Sequence, residues 1–235
     1  MNIKQHIPNF LTCLNLVSGM LGIYFVFESG VSVGAYFIFA AALFDFLDGL
    51  AARVLKVHSE IGKQLDSLAD LVTFGVLPSF IVFFLVLDAD PEVILLPFLA
   101  FFIGIQSALR LAKFNIDERQ SDQFIGLPTP ANALFFSTLP FLADSQEWAA
   151  ALIGNIYFLL GLTVVFSLLL TAELPLLALK FKKFGLSDNK WRYLTILMSC
   201  LSILIWGIGG IPFAILSYIC ISVISYATEK NVGQT

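Results

Sequence analysis

Asp45-Phe-Leu-Asp48-Gly49-Leu-Ala51-Ala52-Arg53, then Gly62-Lys63-Gln-Leu-Asp66-Ser-Leu-Ala-Asp70, sets four carboxylates inside two runs that otherwise read as membrane helix. A charged side chain in hydrocarbon costs at least a few kcal/mol, roughly 2.5 to 3.5 on the most lenient scale, so four together require a compensating partner. Asp45, Asp48, Gly49, Ala52 and Arg53 fall at i, i+3, i+4, i+7 and i+8, one face of one helix. Gly62, Asp66 and Asp70 fall at i, i+4 and i+8, one face of the next. Two adjacent helices can therefore aim four carboxylates at one point, with small residues leaving room beside them. The occupant that such a site suits is a divalent metal, or a pair of them.

The surrounding composition sets the class. The chain has 235 residues, of which 58% are hydrophobic and only 13% charged. Its mean hydropathy is +0.89, whereas a soluble domain would be nearer about half apolar and a quarter charged. An all-α integral membrane protein follows, forming a single transmembrane domain over 1–235. On the rule that about 20 apolar residues cross a bilayer as a helix, eight segments are expected, at 10–27, 32–54, 65–87, 93–113, 128–143, 149–171, 192–207 and 211–228. The first lacks an A-x-A cleavage site and reads as a retained helix.

Charge gives the orientation. All 13 Lys and Arg residues fall at one side of this plan: Lys4, then Arg53 to Lys63, Arg110 to Arg119, Lys180 to Arg192, and Lys230. The opposite turns carry Glu28, Asp88, Asp90, Glu92, Asp144 and Glu147 with no Lys or Arg. The positive-inside rule then puts both termini and the basic loops in the cytoplasm, and with them the carboxylates, near the inner surface of a multi-pass protein. No basic stripe interleaved with aromatics is present, so a nucleic-acid partner is not expected. Cys13, Cys200 and Cys220 lie in apolar runs without metal-ligand spacing and read as small buried residues. His6 and His58 read as solvated residues at helix ends.

The whole 45–70 pattern is D-x2-D-G-x2-A-R-x8-G-x3-D-x3-D, with each of its eight specified positions met in 26 residues. It resembles the signature of the CDP-alcohol phosphotransferases, integral membrane enzymes that join an alcohol to a phosphatidyl or related group from a CDP-linked donor. The resemblance implies a six-helix catalytic core with two further C-terminal helices, a homodimer, and a prokaryotic cytoplasmic membrane with the active site facing the cytoplasm. It implies that Asp45, Asp48 and Asp66 hold a pair of Mg²⁺ or Mn²⁺ ions, and that Asp70 combines metal contact with the role of general base. Gly49, Ala52, Arg53 and Gly62 would meet the CDP donor: Gly49 and Ala52 by leaving the helix face bare, Arg53 by bridging a phosphate or locking an Asp. His6-Ile-Pro8-Asn9-Phe-Leu-Thr12-Cys13-Leu-Asn15 resembles the P-N-x-x-T start of helix one in the same family, which adds Asn9 and Thr12 to the donor set. A plainer reading stays open there, in which Pro8 opens a helix and Asn9 or Thr12 caps it or packs.

A third stretch, 110–131, bears on the acceptor. Arg110-Leu-Ala-Lys113-Phe-Asn115 followed by Phe124-Ile-Gly126-Leu-Pro128-Thr-Pro130-Ala131 resembles the R-L-A-R-F-N and F-x-G-L-P-x-P segments of bacterial and archaeal phosphatidylserine synthases, with Lys113 in place of the second Arg. Arg110 and Lys113 are expected to receive the acceptor carboxylate or a donor phosphate; positive-inside anchoring explains a basic residue at this edge equally well. Glu173 reads as a helix-end charge near Pro175. The implied reaction is CDP-diacylglycerol plus L-serine giving phosphatidylserine and CMP by direct displacement, with membrane lipids around it. Two other readings use the same residues: a family member taking glycerol 3-phosphate or an inositol phosphate, which would favour more basic groups, and a cation transporter, which would need a polar path to the opposite face.

Overall fold

The computed structural model describes residues 3–57, 59–117, 124–178, 185 and 189–232. His58, Arg119, Lys180, Lys182 and Lys183 lie outside them. The chain is almost wholly helical: α1 (Ile3–Ser29), α2 (Val31–Leu55), α3 (Glu60–Asp70), a π-helical segment (Leu71–Val76), α4 (Leu77–Ala89), a 3₁₀ segment (Leu96–Phe101), α5 (Phe102–Ile116), α6 (Thr129–Ser145), α7 (Glu147–Ile153), α8 (Ile156–Thr171), α9 (Lys190–Trp206), a 3₁₀ turn (Gly207–Gly210) and α10 (Ile211–Val232). Each expected apolar segment carries helix. Among the described residues, five helical runs are long and apolar enough to cross a membrane, or up to six if α7 and α8, bent by 77° at their junction, count as one. One run, Lys190–Thr228, spans 39 residues, but α9 and α10 fold back and pack on each other across the Gly207–Gly210 turn. Helices α6 and α9, each of 17 residues, are shorter than the roughly 20 that a straight crossing takes.

Burial is that of a membrane bundle. Large apolar side chains face outward, as with Phe10, Tyr157 and Leu204, while Asn15, Asp48, Asp70, Arg110 and Asn132 are buried. Cys13, Cys200 and Cys220 are exposed as well, against expectation. In a bilayer an apolar residue is as well placed against lipid as inside, so hydropathy does not tell the two apart.

Close approach of α1, α2 and the chain after α3 positions the site. A Cβ on Gly34 would stand 2.8 Å from Gly22 O, so the α1 and α2 backbones are nearly in contact. A Cβ on Gly19 would stand 3.0 Å from Thr73 Cα, bringing the π segment equally close. Pro8 lies inside α1 rather than opening it; the missing N–H forfeits a bond only to the first helical turn. Helix α3 starts at Glu60, earlier than the apolar run, because the Ser59 hydroxyl caps it by accepting from Gly62 N at 3.2 Å.

A two-stranded ladder departs from the all-helical expectation: β1 (Phe124–Ile125) pairs antiparallel with β2 (Pro175–Leu176), Phe124 opposite Leu176. Helix α8 therefore ends at Thr171, and Glu173 lies exposed beyond it. Gly126 makes the turn into α6 with φ 77°, and a Cβ there would stand 2.6 Å from Leu170 O, so only glycine fits. Its N–H donates to Leu174 O and that of Leu127 to Leu169 O, fastening the start of α6 to the end of α8.

Candidate active site

The site lies where α1 begins, α2 ends and α3 begins. Carboxylate oxygens of Asp45, Asp48 and Asp66 all lie within 4.8 Å of one another. Asp70, one turn further along α3, stands outside that trio and is buried. Each helix face thus delivers its carboxylates as the spacing requires, but α1 orients two of them. The Thr12 hydroxyl lies 2.7 Å from Asp48 Oδ2 and 3.1 Å from Pro8 O, and donates to one or the other. Asn15 Nδ2 donates to Asp70 Oδ1 at 3.1 Å, while Thr73 Oγ1 donates to the Asn15 carbonyl at 3.2 Å.

Beside the trio opens a cleft of about 240 Å³, walled by Asn9 and Thr12 of α1, Asp48, Gly49 and Ala52 of α2, and Gly62, Lys63 and Asp66 of α3, among others. Five expected donor-binding residues, Asn9, Thr12, Gly49, Ala52 and Gly62, therefore share one wall system. A Cβ on Gly49 would meet nothing within 4 Å, so its face opens on the cleft. On Gly62 it would stand 2.9 Å from Asn9 Oδ1, so glycine lets α1 and α3 close together at the cleft's edge. Arg53 is not in this wall: its exposed side chain turns back and its Nε donates to Gly49 O at 3.0 Å. Arg110 is buried, its guanidinium 5.7 Å from the centre of the Phe114 ring. Lys113 is exposed on the last turn of α5.

The donor set fits a hard divalent cation. The trio offers only oxygen, and Asp66 Oδ1 is buried without a hydrogen-bond partner. Sequence reasoning missed Asn15 as the partner of Asp70. Its signal was present, an amide one turn beyond Thr12 inside an apolar run. It also missed the tie between α3 and α5, in which Lys63 Nζ donates to Asn115 O at 2.9 Å and Asn115 Nδ2 to Ser67 Oγ at 2.8 Å.

Residues 5–168 match the family model described as CDP-alcohol phosphatidyltransferase. The chain belongs to that family. Among curated relatives it is similar to the CDP-diacylglycerol--serine O-phosphatidyltransferase of Bacillus subtilis (strain 168), 36% identical over 157 residues that make up 67% of this chain and 88% of the relative. It is similar to the protein of the same name from Mycobacterium leprae (strain TN), 30% identical over 232 residues, 92% of this chain and 73% of that one. The archaetidylserine synthase of Methanothermobacter thermautotrophicus is 33% identical over 150 residues, 63% of each chain. The CDP-alcohol phosphatidyltransferase match runs from α1 into α8, and takes in the carboxylate trio, Asp70, the cleft and Arg110.

Proposed function

We propose that this protein transfers the phosphatidyl group of CDP-diacylglycerol to the hydroxyl of L-serine, giving phosphatidylserine and CMP. Family membership and relatives that bear this activity in their names support the reading. The observation that carries it to this chain is the cleft, where residues of the 45–70 signature meet Asn9 and Thr12 from the start of α1.

Asp45, Asp48 and Asp66 would hold a pair of divalent ions, Mg²⁺ or Mn²⁺, with Thr12 orienting Asp48. Such ions, when bound, neutralise a pyrophosphate and stabilise charge on a departing phosphate. The cleft walled by Asn9, Gly49, Ala52 and Gly62 receives the cytidine end of the donor, with Arg53 at its rim near the phosphates. Asp70 takes the proton of the serine hydroxyl. The serine oxygen then bonds to the phosphorus that carries diacylglycerol, the bond from that phosphorus to the CMP oxygen breaks, and the electron pair leaves with CMP. Asn15 holds Asp70 Oδ1 from behind, so the other carboxylate oxygen is the one free to accept the proton. Arg110 and Lys113 attract the acceptor carboxylate or a donor phosphate.

The whole chain works as one transmembrane catalytic domain with eight crossings. Helices α9 and α10 count as two because they fold back, α7 and α8 as one bent span, and α6 as a short one. Both termini and the site face the cytoplasm of a prokaryotic cell, and the protein acts as a homodimer. The test is Asp70→Asn, assayed by CMP release from CDP-diacylglycerol with serine and Mn²⁺ or Mg²⁺. Near-complete loss of release in a protein with wild-type thermal stability is expected; full activity would overturn the assignment of the base.

A further inference from the structure

Among the described residues, the buried side-chain atoms without a hydrogen-bond partner fall in two places. Asn15 Oδ1 and Asp66 Oδ1 belong to the carboxylate site. The rest are Ser107 Oγ and Arg110 Nε on α5, Thr129 Oγ1 and both amide atoms of Asn132 on α6, and Ser167 Oγ on α8. An unmet polar atom costs about 1–3 kcal/mol, and Asn132, at 0% exposure, leaves two in one side chain. Folding alone does not favour an amide there. A leucine would serve better.

These residues converge on one wedge of the bundle. On α5, Gln106, Ser107 and Arg110 are its buried polar residues. Gln106 Oε1 accepts from Thr171 Oγ1 of α8 at 3.1 Å, so this side of α5 meets α8. Ser167 lies one turn before Thr171, on the same face of α8. Ser107 packs on the π segment, where a Cβ on Gly75 would stand 3.0 Å from its Cβ. That segment follows Asp70 directly. Residues of a helix turn by about 100° each, which sets Asn132 between two neighbours of known direction. Phe135 stacks on Phe166 of α8 at 3.8 Å, and Ala133 packs in the cluster that joins Phe74 of the π segment, Leu77 of α4 and Ile38 and Ala41 of α2. Asn132 therefore points between Phe166 of α8 and the cluster that Phe74 of the π segment joins, and Thr129 shares its face. The fastening of Leu127 N to Leu169 O holds this end of α6 against the end of α8.

We infer that Asn132, with Thr129 and Arg110, forms the acceptor site, a pocket for a small zwitterionic hydroxy amino acid beside Asp70. The chemistry matches group by group. The guanidinium of Arg110 and the amide N–H of Asn132 donate to a carboxylate, the amide carbonyl accepts from an ammonium, and the hydroxyls serve either. A phosphate-bearing acceptor such as glycerol 3-phosphate lacks the ammonium and would offer the Asn132 carbonyl only a neutral hydroxyl, a weaker donor. Asn132 and Thr129 thus determine specificity, while Asp70 performs the proton transfer. The inference rests on the serine-transferase reading above.

The test compares wild type with Asn132→Ala and Thr129→Val in detergent, given CDP-diacylglycerol, Mn²⁺ or Mg²⁺, and varied L-serine. In Asn132→Ala the KM for serine is expected to rise roughly tenfold or more, the worth of a buried hydrogen bond to a charged group. The KM for CDP-diacylglycerol should stay within about twofold, and the near-isosteric Thr129→Val should move serine KM in the same direction by less. Because no protein partner is lost, the serine-free Asn132→Ala protein should unfold at or above the wild-type temperature. Unchanged serine KM in both variants overturns the inference, as does an equal rise in both substrates' KM or a lowered unfolding temperature, which would mark a purely structural amide. Wild type that uses glycerol 3-phosphate and not serine overturns the functional reading as well. Serine turnover with unmoved KM in the variants overturns the pocket alone.

Discussion

Thr12 and Asn15 set the two carboxylates to which the proposed function gives different work. The Thr12 hydroxyl reaches Asp48, one of the trio, and the Asn15 amide reaches Asp70. Partners behind a metal ligand are worth roughly 10–100-fold in metal affinity or activity. Thr12→Val should therefore raise the Mn²⁺ or Mg²⁺ concentration for half-maximal activity by about tenfold, with maximal rate largely restored at high metal; an unmoved metal titration would contradict this. Gly49 offers a second residue-scale prediction. Since a Cβ there meets nothing within 4 Å, Gly49→Leu should fold normally and gain about 0.8 kcal/mol of helix propensity. Its side chain would occupy the cleft, so the KM for CDP-diacylglycerol should rise while that for serine holds. The four aspartates and Gly49 were legible in the sequence because i, i+3 and i+4 spacing on one helix fixes a face. Thr12 to Asp48 and Asn15 to Asp70 were not, since they span 36 and 55 positions and depend on how two helices pack.

Elements rather than residues hold the proposed acceptor side in place. Helix α3 runs straight into the π segment, which packs on α1 through Thr73 and Gly19 and on α5 through Gly75 and Ser107. Single π turns are frequent at functional sites, and this one begins at the residue after Asp70. Gly19→Leu should push α1 from the π segment, costing about 1–3 kcal/mol as overpacking does. It should also lower CMP release beyond what that instability explains, because Asn15 would leave Asp70; thermal unfolding and initial rates measured together check it. The π turn and the β1–β2 ladder had no readable signature. An apolar run does not announce a change of helical hydrogen bonding, and two-residue strands are too short to show alternation. The Gly126-Leu-Pro128 turn, by contrast, was visible as punctuation, and the structure explains its glycine by the carbonyls of α8.

At the scale of the whole molecule, the apolar segments and the sidedness of charge were legible, because hydrocarbon dictates both. Which face of each helix looks inward was not, as the exposed cysteines illustrate. The proposed orientation has a direct consequence. In intact cells of a variant without Cys13, Cys200 and Cys220, Asp90→Cys should react with a membrane-impermeant maleimide and Lys63→Cys should not; the reverse would invert the topology. Beyond topology, the molecule brings together a metal-suited trio, a buried aspartate one turn beyond it and a polar wedge, and in the proposed function the wedge selects serine. The decisive measurement is CMP release by the purified protein from CDP-diacylglycerol and divalent metal, with serine, glycerol 3-phosphate or an inositol phosphate offered singly. The account predicts release, with phosphatidylserine as product, for serine alone. Release with either phosphate in the absence of serine would contradict it.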